Sequence, residues 1–99
     1  QQYPQADLAQ AAGLIGKPVS VKGKVYGFKA LENMTLVDLG APHPNELLTV
    51  VLKADAKDSY APVLLKGRTI TVSGVIQDYH GKPEIVVTDS KCLSVVQGK

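Results

Sequence analysis

The sequence predicts an all-β fold, a small five-stranded barrel with a short N-terminal helix and a second helix between its third and fourth strands. One observation behind this is a repeated phrase. Gly16-Lys17-Pro18-Val19-Ser20-Val21-Lys22-Gly23-Lys24-Val25 returns as Gly67-Arg68-Thr69-Ile70-Thr71-Val72-Ser73-Gly74-Val75-Ile76. Both copies place apolar residues at every second position, the mark of a strand with one buried face, and both carry a glycine in mid-pattern, where a strand can bulge or coil. Two long, glycine-bent strands in a chain of 99 residues suit a small barrel with a single core spanning about residues 6–96. The second observation is the order of elements along the chain, taken next.

Leu8, Ala11, Ala12 and Ile15 are spaced for a short amphipathic helix over Ala6 to Ile15, with Asp7 placed early, where the helix dipole favours an anion. Gly16 stops it. The first strand runs from Lys17 to Phe28 and buries Val19, Val21 and Val25, leaving Ser20, Lys22, Lys24 and Tyr26 outside. Glu32-Asn33 marks a turn into Met34-Thr35-Leu36-Val37-Asp38-Leu39, with Val37 and Leu39 inward, since the opposite phase would bury Asp38. The proline-rich loop Gly40-Ala41-Pro42-His43-Pro44-Asn45 leads to a third strand, Leu47 to Lys53. Leu48, Val50 and Leu52 point inward there, and Thr49, Val51 and Lys53 outward.

Ala54 to Tyr60 reads as a helix capped by Asp55, ended by Pro62 before Val63-Leu64-Leu65 returns the chain to the barrel. The fourth strand is the second copy of the phrase, Gly67 to Asp78. Tyr79-His80-Gly81-Lys82 makes a tight turn, and Pro83 to Val87 form the fifth strand, proline being tolerated at a strand start. Asp89 to Lys99 supply a short closing segment and a frayed tail. Three strands, a helix and two strands is the topology of the Greek-key OB-fold.

Composition bounds function. The net charge of +2, from 11 basic and 9 acidic residues, permits a polyanionic partner without demanding one. The longest apolar runs are too short for a transmembrane segment. Cys92 is alone, so no internal disulfide forms, and beside Leu93 it reads as a buried structural thiol. The start at Gln1-Gln2-Tyr3, without an initiator Met, predicts an exported protein, periplasmic or secreted after signal-peptide removal. A boundary cut for another reason gives the same start.

Certain segments resemble a known family when taken together. The run Gly16-Lys17-x-Val19-x-Val21-x-Gly23, the segment Thr35-Leu36-Val37-Asp38-Leu39-Gly40, the segment Leu48-Thr49-Val50-Val51, and Gly74-x-Ile76-x-x-Tyr79-x-Gly81-Lys82-Pro83-Glu84-Ile85 are similar in order and spacing to the anticodon-binding type of OB-fold. They resemble more closely the small exported bacterial proteins built of little else. In the tRNA-binding relatives an outward aromatic on the second strand stacks on a base within a Phe-x-Asp-Leu pattern. Leu36 stands at that position here, followed by Asp38 and Leu39, and leucine offers no comparable π-face. The resemblance implies a fold and a groove, not aminoacylation.

The outward face of strands one to three is the surface on which such barrels bind oligonucleotides or oligosaccharides. Its ligand-binding candidates are Lys22, Lys24, Tyr26, Leu36 and Lys53, accompanied by Thr49 and Val51, with Tyr79 and Lys82 from the turn between strands four and five. Lysines there neutralise phosphates while a tyrosine stacks. Read blandly, the same lysines are solvated strand residues and the tyrosines cover the barrel. His43, His80, Cys92 and the carboxylates show no metal-ligand spacing, so neither a metal nor another cofactor is expected. Asp55 and Asp58 read as helix-dipole compensation, and no catalytic motif is present, which predicts no enzyme. Two functions follow: weak, salt-sensitive binding of single-stranded nucleic acid, or an exported module that holds a protein or glycan partner.

Overall fold

The computed structural model of the chain describes residues 3–96. The expected frayed end beyond Val96, and the first two residues on which the export expectation rests, lie outside the described residues. The elements follow the predicted order, but with seven strands in place of five, because the expected fourth strand is split and a short strand ends the described chain. A 3-10 helix, Leu8–Gly13, is capped by the Asp7 side chain, which accepts from the Ala9 amide at 3.1 Å. It buries Leu8 and Ala11 but leaves Ile15 exposed, because the tighter helix ends before Ile15 can turn inward. Strands β1 (Pro18–Ala30), β2 (Thr35–Leu39) and β3 (Leu48–Leu52) come next. Helices α1 (Ala54–Ser59) and α2 (Pro62–Leu65) lead to β4 (Thr69–Val75), β5 (Gln77–Tyr79) and β6 (Lys82–Val87). A second 3-10 turn, Ser90–Cys92, and β7 (Leu93–Val95) end the described chain.

The sheet order is β5-β6-β3-β2-β1-β4-β7. β1 is long enough to serve two partners. Its first half pairs with β4 from Pro18↔Val75 to Lys24↔Thr69, and its second half pairs with β2 from Val25↔Leu39 to Ala30↔Thr35. The changeover needs Gly23, where an added Cβ would stand 2.5 Å from Leu8 Cδ2 and 3.1 Å from Leu39 Cγ. β3 and β6 run parallel, in register from Thr49↔Glu84 to Leu52↔Val87. Strands β4 and β5 sit far apart in the sheet order yet are joined in the chain through the buried Ile76, which brings the sheet around on itself. No ladder joins β4 to β6 among the described residues, so the sheet is barrel-like without being closed. The core is built from the inward rows of β1, β2, β3, β4 and β6, namely Val19, Val21 and Val25; Val37 and Leu39; Leu48, Val50 and Leu52; Ile70 and Val72; Ile85 and Val87; Leu93 of β7 joins them, while β5 contributes none.

Five local expectations are corrected. The fourth strand is not continuous from Gly67 to Asp78, because Ile76 exchanges hydrogen bonds with Gly16 and Lys17 and the chain then changes partner from β1 to β6. Asp55 does not cap α1. Lys53 occupies the N-cap without a side-chain hydrogen bond, and the Asp55 carboxylate instead accepts from the Ser90 amide at 3.0 Å. Pro62 opens a helical turn rather than ending one, as a residue without an amide hydrogen can at a first helical position. Of the residues expected to return to the barrel, only Leu65 is buried, while Val63 and Leu64 are 67% and 69% exposed. Finally, Cys92 is a free thiol but only half-buried, since it lies on the second 3-10 turn and packs against the core from outside. Among the described residues no helix is long and apolar enough to cross a membrane.

Candidate functional site

Strand register decides which side chains share the outer face. A β-bulge falls between Val25 and Gly27, where the pairing slips from Val25↔Leu39 to Gly27↔Asp38. One extra residue reverses the side-chain parity of the rest of the strand. Lys29 therefore lies opposite Leu36, while Phe28 lies opposite the inward Val37. Two rows result across the outer surface. One runs Lys29, Leu36, Val51, Val86, and its floor is apolar; the other runs Gly27, Asp38, Thr49, Glu84, and it is acidic. Val51, expected outside, does face outward but is only 3% exposed because Leu36 and Val86 flank it in the ladder.

These rows floor an open concavity of about 940 Å³. The β1–β2 hairpin, with Phe28, Lys29, Leu31 and Met34, walls one side. The turn between β5 and β6 walls another, where the Tyr79 and His80 rings meet edge to face with centroids 4.4 Å apart. His80 and Gly81 both adopt positive φ, 52° and 85°, as a two-residue hairpin turn requires at its central positions. Asp78 accepts from the Gly81 amide at 3.0 Å and holds that turn. Lys53 lines the concavity from just past the end of β3, two residues beyond Val51.

The other end is built by the loop between β2 and β3. Glu46 is nearly enclosed, its side chain 5% exposed. Its Oε2 accepts from Thr49 Oγ1 at 3.3 Å, pairs with His43 Nδ1 at 3.3 Å, and lies 3.8 Å from Lys82 Nζ. Lys82 also donates to the Pro44 carbonyl at 3.0 Å, tying the β5–β6 turn to this loop. Burial pushes the Glu46 carboxyl up, but its own backbone amide, the His43 hydrogen bond and the Lys82 charge together hold it below the usual carboxylate value. Asp38 goes the other way, raised by burial first and by the Glu46 carboxylate second.

The residues singled out from the sequence fall into two groups. Leu36, Thr49, Val51, Lys53, Tyr79 and Lys82 all line the concavity. Lys22, Lys24 and Tyr26 do not, because Lys22 and Lys24 lie opposite Thr71 and Thr69 of β4, and Tyr26 sits at the bulge. They form a separate patch in which Lys24 Nζ stands 5.3 Å from the centre of the Tyr26 ring. Lys29, Glu46 and Glu84 are among the lining residues the sequence reading did not select. The signal for Lys29 was present, since Gly27 marks a bulge that shifts the outward set by one residue. Glu46 gave none, standing at the end of a polar loop.

No protein-family model matches this chain, and no curated protein matches it in sequence. Solved structures do match. Asparaginyl-tRNA synthetase from Pyrococcus horikoshii aligns with a TM-score of 0.63 and 16% identity over 99% of this chain and 24% of its own. The OBody AM1L10, solved bound to hen egg-white lysozyme, aligns with a TM-score of 0.67 and 17% identity over 99% of this chain and 100% of its own. The S. pombe Stn1-ten1 complex aligns with a TM-score of 0.60 and 13% identity over 82% of this chain and 59% of its own. Fold and comparisons together define an OB-fold. This chain spans about a quarter of the length of that synthetase chain.

Proposed function

We propose that the chain is a non-catalytic OB-fold module whose concavity takes single-stranded nucleic acid weakly and with little sequence preference. The observation that carries this reading is the placement of the concavity. It lies over β2 and β3 and between the β1–β2 hairpin and the β5–β6 turn, the position in which OB-folds bind oligomeric ligands. An apolar floor of Leu36, Val51 and Val86 accepts base faces, and Tyr79 supplies an aromatic wall. Lys29, next to Leu36, and Lys53, two residues past Val51, border that floor, where they reach phosphates. The similarity to part of a tRNA synthetase supports a nucleic-acid ligand.

The affinity is limited by charge. Lys29, Lys53 and Lys82 are balanced within the same concavity by Asp38, Glu46 and Glu84, and Lys82 is already engaged. About two phosphate contacts remain, for which log affinity against log salt should slope at roughly −1.4 on a single strand. Fluorescence anisotropy of labelled single-stranded oligonucleotides at several salt concentrations tests this, with Tyr79→Ala as the stacking variant. Binding that is salt-dependent and weakened in Tyr79→Ala supports the reading; no binding at low salt removes it.

A second reading, a protein partner on the same surface, is favoured by the balanced charge over an apolar floor. It is also favoured by the likeness to an OB-fold of equal length solved on lysozyme. Absence of oligonucleotide binding moves this reading to first place.

A further inference from the structure

We propose that Asp38, His43 and Glu46 form a binding site for one divalent transition-metal ion of the Zn²⁺ class, at the acidic end of the concavity. The three residues come from different places: Asp38 from β2, His43 and Glu46 from the loop that leads into β3. No sequence spacing announces them; the turn of the chain between the two strands brings them together. One donor atom from each lies within 4.8 Å of the other two. Donor atoms around a tetrahedral ion with bonds of about 2.1 Å stand about 3.4 Å apart, so taking up an ion needs a closing movement of about 1 Å or slightly more. His43, with its side chain 69% exposed, is free to make it.

Glu46 supplies the independent sign that something is missing. Thr49 and Lys82 approach Oε2, at 3.3 and 3.8 Å, and His43 Nδ1 lies between the two oxygens, 3.3 Å from Oε2. Oε1 is buried and has no hydrogen-bond partner, although His43 Nδ1 stands 3.2 Å away. A buried carboxylate oxygen without a donor is costly, and a cation held between Oε1, the imidazole and Asp38 removes that cost. It also relieves the repulsion between the Asp38 and Glu46 carboxylates. Lys82 does not already fill this role, because its short hydrogen bond goes to the Pro44 carbonyl and its approach to Glu46 is on the Oε2 side. One imidazole with two carboxylates suits borderline ions such as Zn²⁺ or Co²⁺ better than Ca²⁺, which takes oxygen ligands only.

The site stands whether or not the concavity takes nucleic acid, and metal titration of the full chain tests it. Isothermal calorimetry of chelator-treated protein with Zn²⁺ should give one equivalent bound, and Co²⁺ should give a visible absorption band at the same stoichiometry. Asp38→Asn, His43→Ala and Glu46→Gln should each weaken Zn²⁺ binding by roughly tenfold or more. Lys82→Ala should tighten it by removing a neighbouring positive charge, and His80→Ala should leave it unchanged. Since His43 is exposed, its variant keeps the fold, which a thermal melt verifies even if Glu46→Gln is destabilised. The proposal is overturned if the natural protein binds no stoichiometric Zn²⁺, if His43→Ala binds as tightly as the natural protein, or if His80→Ala loses the ion.

Discussion

The Tyr60 hydroxyl donates to the Leu93 carbonyl at 2.7 Å and lies 3.1 Å from the Ser90 carbonyl, joining the end of α1 to the start of β7. Two segments 33 residues apart are thereby held together at the foot of the barrel, where β7 adds to the edge of β4 through Ile70↔Val95 and Val72↔Leu93. Tyr60→Phe keeps the ring packed against the core and removes only the donor. A loss of about 1 kcal/mol is expected. In a domain of this size that lowers the melting temperature by about 4–8 °C, measurable by circular dichroism. No change in the melt would mean that the hydroxyl contributes nothing to docking β7.

Gly23 and Gly74 occupy matching positions in the repeated phrase, yet they should respond differently to a side chain. A Cβ at Gly74 meets Ile85 Cγ2 at 2.7 Å, and Ile85 is fully buried. Gly74→Val should cost about 1–3 kcal/mol, as overpacking does. At Gly23 the nearest atom is Leu8 Cδ2, the far end of a flexible side chain on the N-terminal 3-10 helix. Gly23→Ala should therefore loosen that helix, seen as faster hydrogen exchange of the Leu14 amide, with a smaller drop in global stability. Equal losses in both variants would contradict this division.

The strands were legible in the sequence because alternation of apolar and polar residues is a local signal, and the inward row Val19, Val21, Val25 reads directly from it. What the alternation cannot carry is a change of partner. Ile76 continues the apolar pattern of β4, yet it is the point at which the chain leaves β1 for β6. The bulge beside Gly27 is of the same kind, for the glycine is visible but the residue at which parity reverses is settled by pairing with β2. That single slip separates Lys22, Lys24 and Tyr26 from the concavity and admits Lys29. Asp55 misled for a further reason. An aspartate beside a helix start looks like a cap, whereas its actual acceptor role is for an amide 35 residues away.

That contact gives a pH dependence. Hydrogen bonds to the Asp55 carboxylate, the Ser90 amide foremost, hold its carboxyl below the ordinary aspartate value of 3.8. The ionised form is thus favoured by folding, so the contribution is complete above 3.8 and fades as the pH falls through the depressed folded value. Asp55→Asn keeps an acceptor but loses the charge. It should melt below the natural protein at neutral pH, and the two melting temperatures should converge below pH 3.8. A gap that persists unchanged into strong acid would show that the charge on Asp55 is not what tethers Ser90.

The two lysine groups on the outer surface permit the sharpest test of where a nucleic-acid strand would lie. Lys29 and Lys53 flank the apolar floor, whereas Lys22 and Lys24 face outward opposite β4, with Lys24 held near the Tyr26 ring. Counterion release depends only on charges close to phosphates, so the pair that tracks the backbone sets the salt slope. Lys29→Glu with Lys53→Glu should abolish oligonucleotide binding in anisotropy titrations at low salt. Lys22→Glu with Lys24→Glu changes the net charge by the same amount and should reduce affinity only modestly, leaving the slope near its original value. The two double variants carry identical total charge, so a difference between them reports position and not overall electrostatics. Equal losses in both would mean that the strand is attracted by diffuse charge and does not occupy the concavity, and the reversed order would move the site to the Tyr26 patch.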